Sequence, residues 1–87
     1  MRPKNPIHPG EILLEEFLIP MGLSQRSFAN KIGWTNAKVN ELIRAKRGVT
    51  ADSALDLGRV LKTSPELWMN LQTMWDLHQA ELRRRAS

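Results

Sequence analysis

Only three residues, Ile32-Gly33-Trp34, separate two short helical patterns, and both patterns begin with the same device. Ser24 and Thr35 are residue types that cap helix amino termini, and apolar residues flank each at the N′ and N4 positions, Leu23 with Phe28 and Trp34 with Val39. That is the spacing of a hydrophobic staple, which fixes the angle at which the chain runs into a helix. A break this short is no flexible loop, so the two helices must cross at a defined angle, and the remaining elements have to pack around that crossing.

Charge singles out the same stretch. Ser24 to Arg47 holds Arg26, Lys31, Lys38, Arg44, Lys46 and Arg47 against the single acid Glu41, a local net charge of +5 where the whole chain carries +4. A localised basic patch is the electrostatic footprint of a polyanion binder, although charge alone does not choose between nucleic acid, an anionic membrane and an acidic partner. Spanning a membrane is not expected, since apolar runs such as Ile12–Leu14 and Phe17–Ile19 fall far short of roughly 18–20 residues. The opening MRPKNP lacks the apolar region of a signal peptide, so a cytoplasmic location is expected. There is no cysteine in the 87 residues, which leaves packing and oligomerisation as the sources of stability. A single domain of this size buries only roughly 60–65% of its unfolded surface, and its core is correspondingly thin.

The patterning predicts an all-α fold of five helices. Residues 1–8, with Pro3 and Pro6, read as an extended arm. A single domain follows over residues 9–82, and residues 83–87 read as a frayed basic tail carrying Arg83, Arg84 and Arg85. Helix 1 is expected from about Pro9 to Ile19, stopped by Pro20, with Glu11, Glu15 and Glu16 on its polar face. Helix 2 begins after Ser24, and helix 3 spans Asn36 to about Lys46. Helix 4 opens at Thr50-Ala51-Asp52 and runs to about Leu61. Gly58 within it costs up to about 1 kcal/mol relative to alanine, which marks a close approach by another backbone. Ser64-Pro65-Glu66 starts helix 5, which carries Trp68, Leu71, Trp75 and Leu82 on one apolar stripe. That stripe is wider than a five-helix core covers, so Trp68, Leu71, Trp75 and Leu82 are candidates for a homodimer interface.

A helix-turn-helix needs a small residue at the crossing, a glycine in the turn, and apolar residues that lock the pair. Ala29, Gly33, Phe28, Ile32, Val39 and Leu42 stand at those positions. Leu23-Ser24-Gln25, Phe28-Ala29, Ile32-Gly33, Val39-Asn40-Glu41 and Lys46-Arg47 resemble the lambda-repressor-like (XRE) helix-turn-helix family. Three further runs resemble its HigA (VapI-like) antitoxin subfamily: His8-Pro9-Gly10-Glu11-Ile12-Leu13, Lys46-Arg47-Gly48-Val49-Thr50-Ala51-Asp52, and Ser64-Pro65-Glu66-Leu67-Trp68-Met69-Asn70-Leu71-Gln72. Two positions depart from the pattern: Ala45 stands where many members have glycine, and Gly58 where alanine is usual. The resemblance implies a homodimeric repressor of its own operon that binds double-stranded operator DNA. It also implies an antitoxin that neutralises a co-encoded HigB-like, messenger-RNA-cleaving toxin.

Helix 3 is then expected in the major groove. Asn36 and Asn40 are candidates for adenine edges, Arg44 for guanine, and Lys38 for either a guanine edge or a phosphate, with Ala37 on the same outward face. Glu41 either accepts from a cytosine amino group or orders Arg44 or Lys38. The family places the Gln25 amide against the DNA backbone, and Thr35, Lys46 and Arg47 are further phosphate candidates. Glu11, Glu15 and Glu16 form a candidate toxin-binding surface. An alternative from another class is an interaction module that inhibits a basic toxin with little DNA binding of its own. His8 and His78 have no partners spaced to make a metal site, and no nucleophile motif or phosphate loop is present, so neither cofactor nor enzymatic activity is expected.

Overall fold

The computed structural model describes residues 5–86, and among these it contains five helices and no strand. The first, α1, covers residues 9–21, with His8 as its amino-terminal cap: His8 Nδ1 accepts the Gly10 N–H at 2.9 Å. His8 is buried, so the extended arm predicted for residues 1–8 ends one residue early, and Met1 to Lys4 lie outside the described residues. Pro20 does not stop α1. After an α-helical first turn, Pro9–Ile12, the helix widens into a π-helical stretch, Leu13–Leu18, and closes with Ile19–Met21. The Ile19 N–H reaches back five residues to the Leu14 carbonyl, and this shifted register passes over the bond that proline cannot make. Gly22, at φ +66°, ends the helix.

Helix α2 spans Gln25–Ile32 and α3 spans Asn36–Ile43. Both expected caps form, Ser24 Oγ accepting the Ser27 N–H at 3.0 Å and Thr35 Oγ1 the Lys38 N–H at 3.1 Å. Helix α3 is one turn shorter than the expected run to Lys46, because Ala45 takes a left-handed conformation at φ +59°. The Lys46 N–H then bonds the Glu41 carbonyl at 2.8 Å and the Ala45 N–H the Leu42 carbonyl at 3.1 Å, the paired bonds of a Schellman end. Helix α4, Ala51–Leu61, is capped by Thr50, and α5, Pro65–Ala86, by Ser64. Helix α5 continues through Arg83, Arg84 and Arg85, so these three residues form its last turn instead of a frayed tail. Cations there complement the negative end of the helix dipole, and Arg85 lies 3.9 Å from Glu81.

The core lies where α1, α2, α3, α4 and the first half of α5 meet. Leu13, Leu18, Phe28, Val39, Leu42, Leu57 and Trp68 are all buried. Trp68 is the largest of them, with no exposed surface: it packs on Phe17 at 5.5 Å and donates its indole N–H to Thr63 Oγ1 at 2.8 Å. It is therefore a core residue and unavailable to a subunit interface, which corrects the expectation from its place on the helix 5 stripe. Two glycines set how closely the helices approach. A Cβ on Gly58 would stand 2.8 Å from the Thr63 carbonyl oxygen, the close backbone approach expected there. A Cβ on Gly10 would overlap the Leu42 carbonyl, so the start of α1 lies directly against the end of α3. The distal half of α5 extends beyond this core and leaves Leu77 and Leu82 exposed, giving the molecule extents of 42 × 23 × 23 Å.

Candidate nucleic-acid interface

Burying Phe28, Ala29 and Ile32 of α2 against Val39 and Leu42 of α3 decides which side of α3 faces solvent. Asn36, Ala37 and Arg44 are exposed, and Lys38, Asn40 and Glu41 are half-buried beside them. Gly33, at φ +79°, makes the turn, and the Trp34 N–H closes it on the Ala29 carbonyl at 3.0 Å. The turn and the crossing expected from the sequence are thus both present.

Side-chain partners tie these residues into small units. The Asn40 amide nitrogen donates to Gln25 Oε1 at 3.0 Å, joining a residue at the start of α2 to one in the middle of α3. Asn40 keeps one N–H and its carbonyl oxygen free, the pair an adenine edge requires, and Gln25 keeps its NH₂. Lys38 Nζ lies 4.3 Å above the Trp34 ring, and the Trp34 indole N–H donates to Asp56 Oδ2 of α4 at 2.9 Å. The cation is held toward the turn by a ring that is itself anchored. Thr35 accepts through Oγ1 as a cap, which leaves its hydroxyl hydrogen free to donate outward.

Glu41 orders neither Arg44 nor Lys38. Its Oε1 accepts from Arg47 Nη2 at 2.8 Å and Nε at 3.1 Å, across the left-handed turn at Ala45. The sequence offered nearer partners, but that turn folds Arg47 back toward α3. Arg44 and Lys46 remain exposed.

Beneath the Lys46–Val49 segment lies a polar cluster that sequence reasoning did not assign. Gln72 of α5 accepts the Val49 N–H through Oε1 at 2.7 Å and donates through Nε2 to Asp76 Oδ1 at 2.9 Å. His8 meets the Trp75 ring edge-on at 5.1 Å and lies beside the Arg47 backbone. Burial lowers the His8 pKa below the usual histidine range, opposed by the nearby carboxylates of Asp76 and Glu11 and by the Arg47 backbone. The available signal was Gln72 itself, a polar residue four positions after Trp68 on the buried face of α5. Of the remaining α5 stripe, Leu71 packs against the core, Trp75 is half-buried and Leu82 is exposed; Glu11, Glu15 and Glu16 are exposed along α1.

The profile of the helix-turn-helix family matches residues 14–68, which includes α2, the turn and α3. The chain belongs to the helix-turn-helix family. Among curated relatives of this helix-turn-helix protein, Virulence-associated protein I of Dichelobacter nodosus is 48% identical over 86% of this chain and 69% of its own length. Antitoxin HigA-1 of Vibrio cholerae is 39% identical over 85% of this chain and 70% of its own. Pseudomonas aeruginosa antitoxin HigA, solved with the higBA promoter, superposes with a TM-score of 0.89 at 40% identity, covering 94% of this chain and 89% of the other. Antitoxin GraA in complex with its operator gives a TM-score of 0.86 at 45% identity, covering 99% and 87%. This HigA-like member thus shares sequence and fold along nearly its whole length with proteins solved on their operators. Among its described residues, no helix is long and apolar enough to cross a membrane.

Proposed function

We propose that this chain is a sequence-specific DNA-binding repressor and the antitoxin of a toxin–antitoxin pair, binding its own operator as a homodimer. The observation that carries the reading is the outward face of α3, with Asn36, Asn40 and Arg44 beside a strip of cations, in a fold that relatives use on operator DNA. Helix α3 lies in the major groove. Asn40 and Asn36 read adenine edges and Arg44 reads guanine. Gln25, Thr35, Lys38, Lys46 and Arg47 position the subunit on phosphates, Lys38 being assigned there because Trp34 holds it toward the turn. Ala37 lets the helix approach closely, and Glu41 acts through Arg47.

Two subunits present two such helices to half-sites about 34 Å apart. With Trp68 internal, the dimer forms through what α5 leaves outside, Leu82 and Leu77 with the outer edges of Leu71 and Trp75. The acidic face of Glu11, Glu15 and Glu16 receives the co-encoded, basic, messenger-RNA-cleaving toxin.

Fluorescence anisotropy with DNA from upstream of its own coding sequence tests the reading. Arg44→Ala should lose about 1–3 kcal/mol on the operator and little on random DNA, whereas Lys46→Ala should weaken both alike. Equal losses from both variants on both DNAs would remove Arg44 from base reading. Absence of any operator binding by the wild-type protein would leave the chain a toxin-binding module.

A further inference from the structure

The segment between α3 and α4 carries Lys46 and Arg47 and has two supports. On one side α3 holds it, through the Schellman bonds at Ala45 and Lys46 and the ion pair from Glu41 to Arg47. On the other side lies α5, which faces away from the proposed groove surface. Gln72 is buried there at 8% exposure, and its amide is used from both ends: Oε1 holds the Val49 N–H and Nε2 is itself held by Asp76. Gly48 lies flat on that amide, since a Cβ at Gly48 would stand 3.0 Å from Gln72 Cδ, Nε2 and Oε1 alike. The fit is therefore to the amide's plane as well as to its hydrogen bonds.

We propose that Gln72 is a positioning residue for DNA-backbone contact: from α5 it fixes the height and direction at which Lys46 and Arg47 meet the phosphates. The proposal rests on the reading of Lys46 and Arg47 as phosphate contacts. Its physical basis is the choice left to the segment without Gln72. Val49 is buried, so its N–H has no water to turn to, and an unpaired buried donor is relieved by moving the backbone outward. Moving Val49 moves Gly48 and Arg47 with it. The substituent must also be neutral, because a carboxylate at position 72 would face Asp76 at hydrogen-bond distance with no proton between them. One exchange preserves the arrangement: combining Gln72→Glu with Asp76→Asn lets the introduced carboxylate accept from both the Val49 N–H and the introduced amide, and leaves the net charge unchanged.

The test uses the full chain on its own upstream DNA, well below the unfolding temperature, at fixed protein and salt concentrations. Gln72→Met should weaken binding about tenfold, a difference of about 1.4 kcal/mol, on operator and random DNA alike. Amide exchange at Val49 should accelerate while exchange in the α2 and α3 cores stays as in wild type. Combining Gln72→Met with Lys46→Ala should cost less than the sum of the two losses, because both act on the Lys46 phosphate contact, Gln72→Met acting on that of Arg47 as well. Gln72→Glu alone should bind as weakly as Gln72→Met, and the charge-neutral double variant should return to within about threefold of wild type. Wild-type affinity in Gln72→Met despite faster Val49 exchange, or losses that add fully with Lys46→Ala, would overturn the proposal. If Lys46→Ala itself binds like wild type, the phosphate-contact reading fails instead, and the two failures are distinguishable.

Discussion

Replacing Ala45 with glycine should stabilise the protein, although the same change elsewhere in the recognition region should destabilise it. Ala45 sits at φ +59°, where its Cβ crowds the following carbonyl, at a cost of about 1–2 kcal/mol for a residue other than glycine. Glycine removes that cost but gives the unfolded chain more freedom, which takes back about 0.4–1 kcal/mol. The net gain is about 0.5–1 kcal/mol, and in a domain of this size that raises the melting temperature by about 3–6 °C. Ala37, helical and exposed on α3, is the control: glycine there should cost about 0.5–1 kcal/mol. Calorimetry at one protein concentration compares the two, because any subunit association makes the midpoint concentration-dependent. The Schellman bonds from Ala45 and Lys46 are backbone bonds and survive the change, so no loss of hydrogen bonding offsets the gain. A fall in melting temperature for Ala45→Gly matching that for Ala37→Gly would refute the assignment of strain to this turn.

Three other outcomes are expected. Gly10→Ala forces a methyl onto the Leu42 carbonyl and should cost about 3 kcal/mol or more in urea denaturation, separating α1 from the end of α3; a loss below about 1 kcal/mol would show that this crossing is loose. If each of two subunits neutralises three phosphates, log affinity for operator DNA should fall against log salt with a slope of about −5, and a flat dependence would exclude a backbone-driven interface. Because burial lowers the folded-state pKa of His8, its contribution to stability is complete above the unfolded value of about 6.5 and is lost as pH falls from there through the folded value. Wild type should therefore lose more melting temperature between pH 7.5 and 5.5 than His8→Asn, which keeps a cap acceptor but does not titrate; parallel curves would rule out His8 as the titrating group.

The parts legible in the sequence are those set by local rules. Ser24, Thr35, Thr50 and Ser64 cap the helices they were expected to cap, and Gly33 makes the turn, because caps and tight turns are specified within about four residues. What stayed hidden depends on residues far apart in the chain. Pro20 reads as a stop until the π-helical stretch before it is seen to absorb the missing bond. Trp68 and Trp75 share a stripe on a helical wheel, yet Phe17 and Thr63 enclose one of them while His8 covers the edge of the other, and periodicity does not distinguish these fates. Asn40 and Gln25 were legible as separate candidates and illegible as a pair, since their hydrogen bond exists only once α2 and α3 have crossed.

Glu41 shows how a charge of the wrong sign fits a surface proposed to face a polyanion. Both Arg47 donors that it receives, Nε and Nη2, lie on one edge of the guanidinium and converge on a single carboxylate oxygen. The other guanidinium nitrogen, Nη1, keeps its two hydrogens, so Arg47 can hold Glu41 and donate to a phosphate at the same time. The pair is solvent-exposed, with the side chains 46% and 44% accessible, and such pairs add little to stability. Its value lies in restriction: the ion pair limits the orientations of an otherwise flexible arginine next to the left-handed turn. On the proposed reading Glu41 orients a phosphate contact while Arg47 meets its charge within the subunit, and the bases assigned to Asn36, Asn40 and Arg44 face no uncompensated carboxylate.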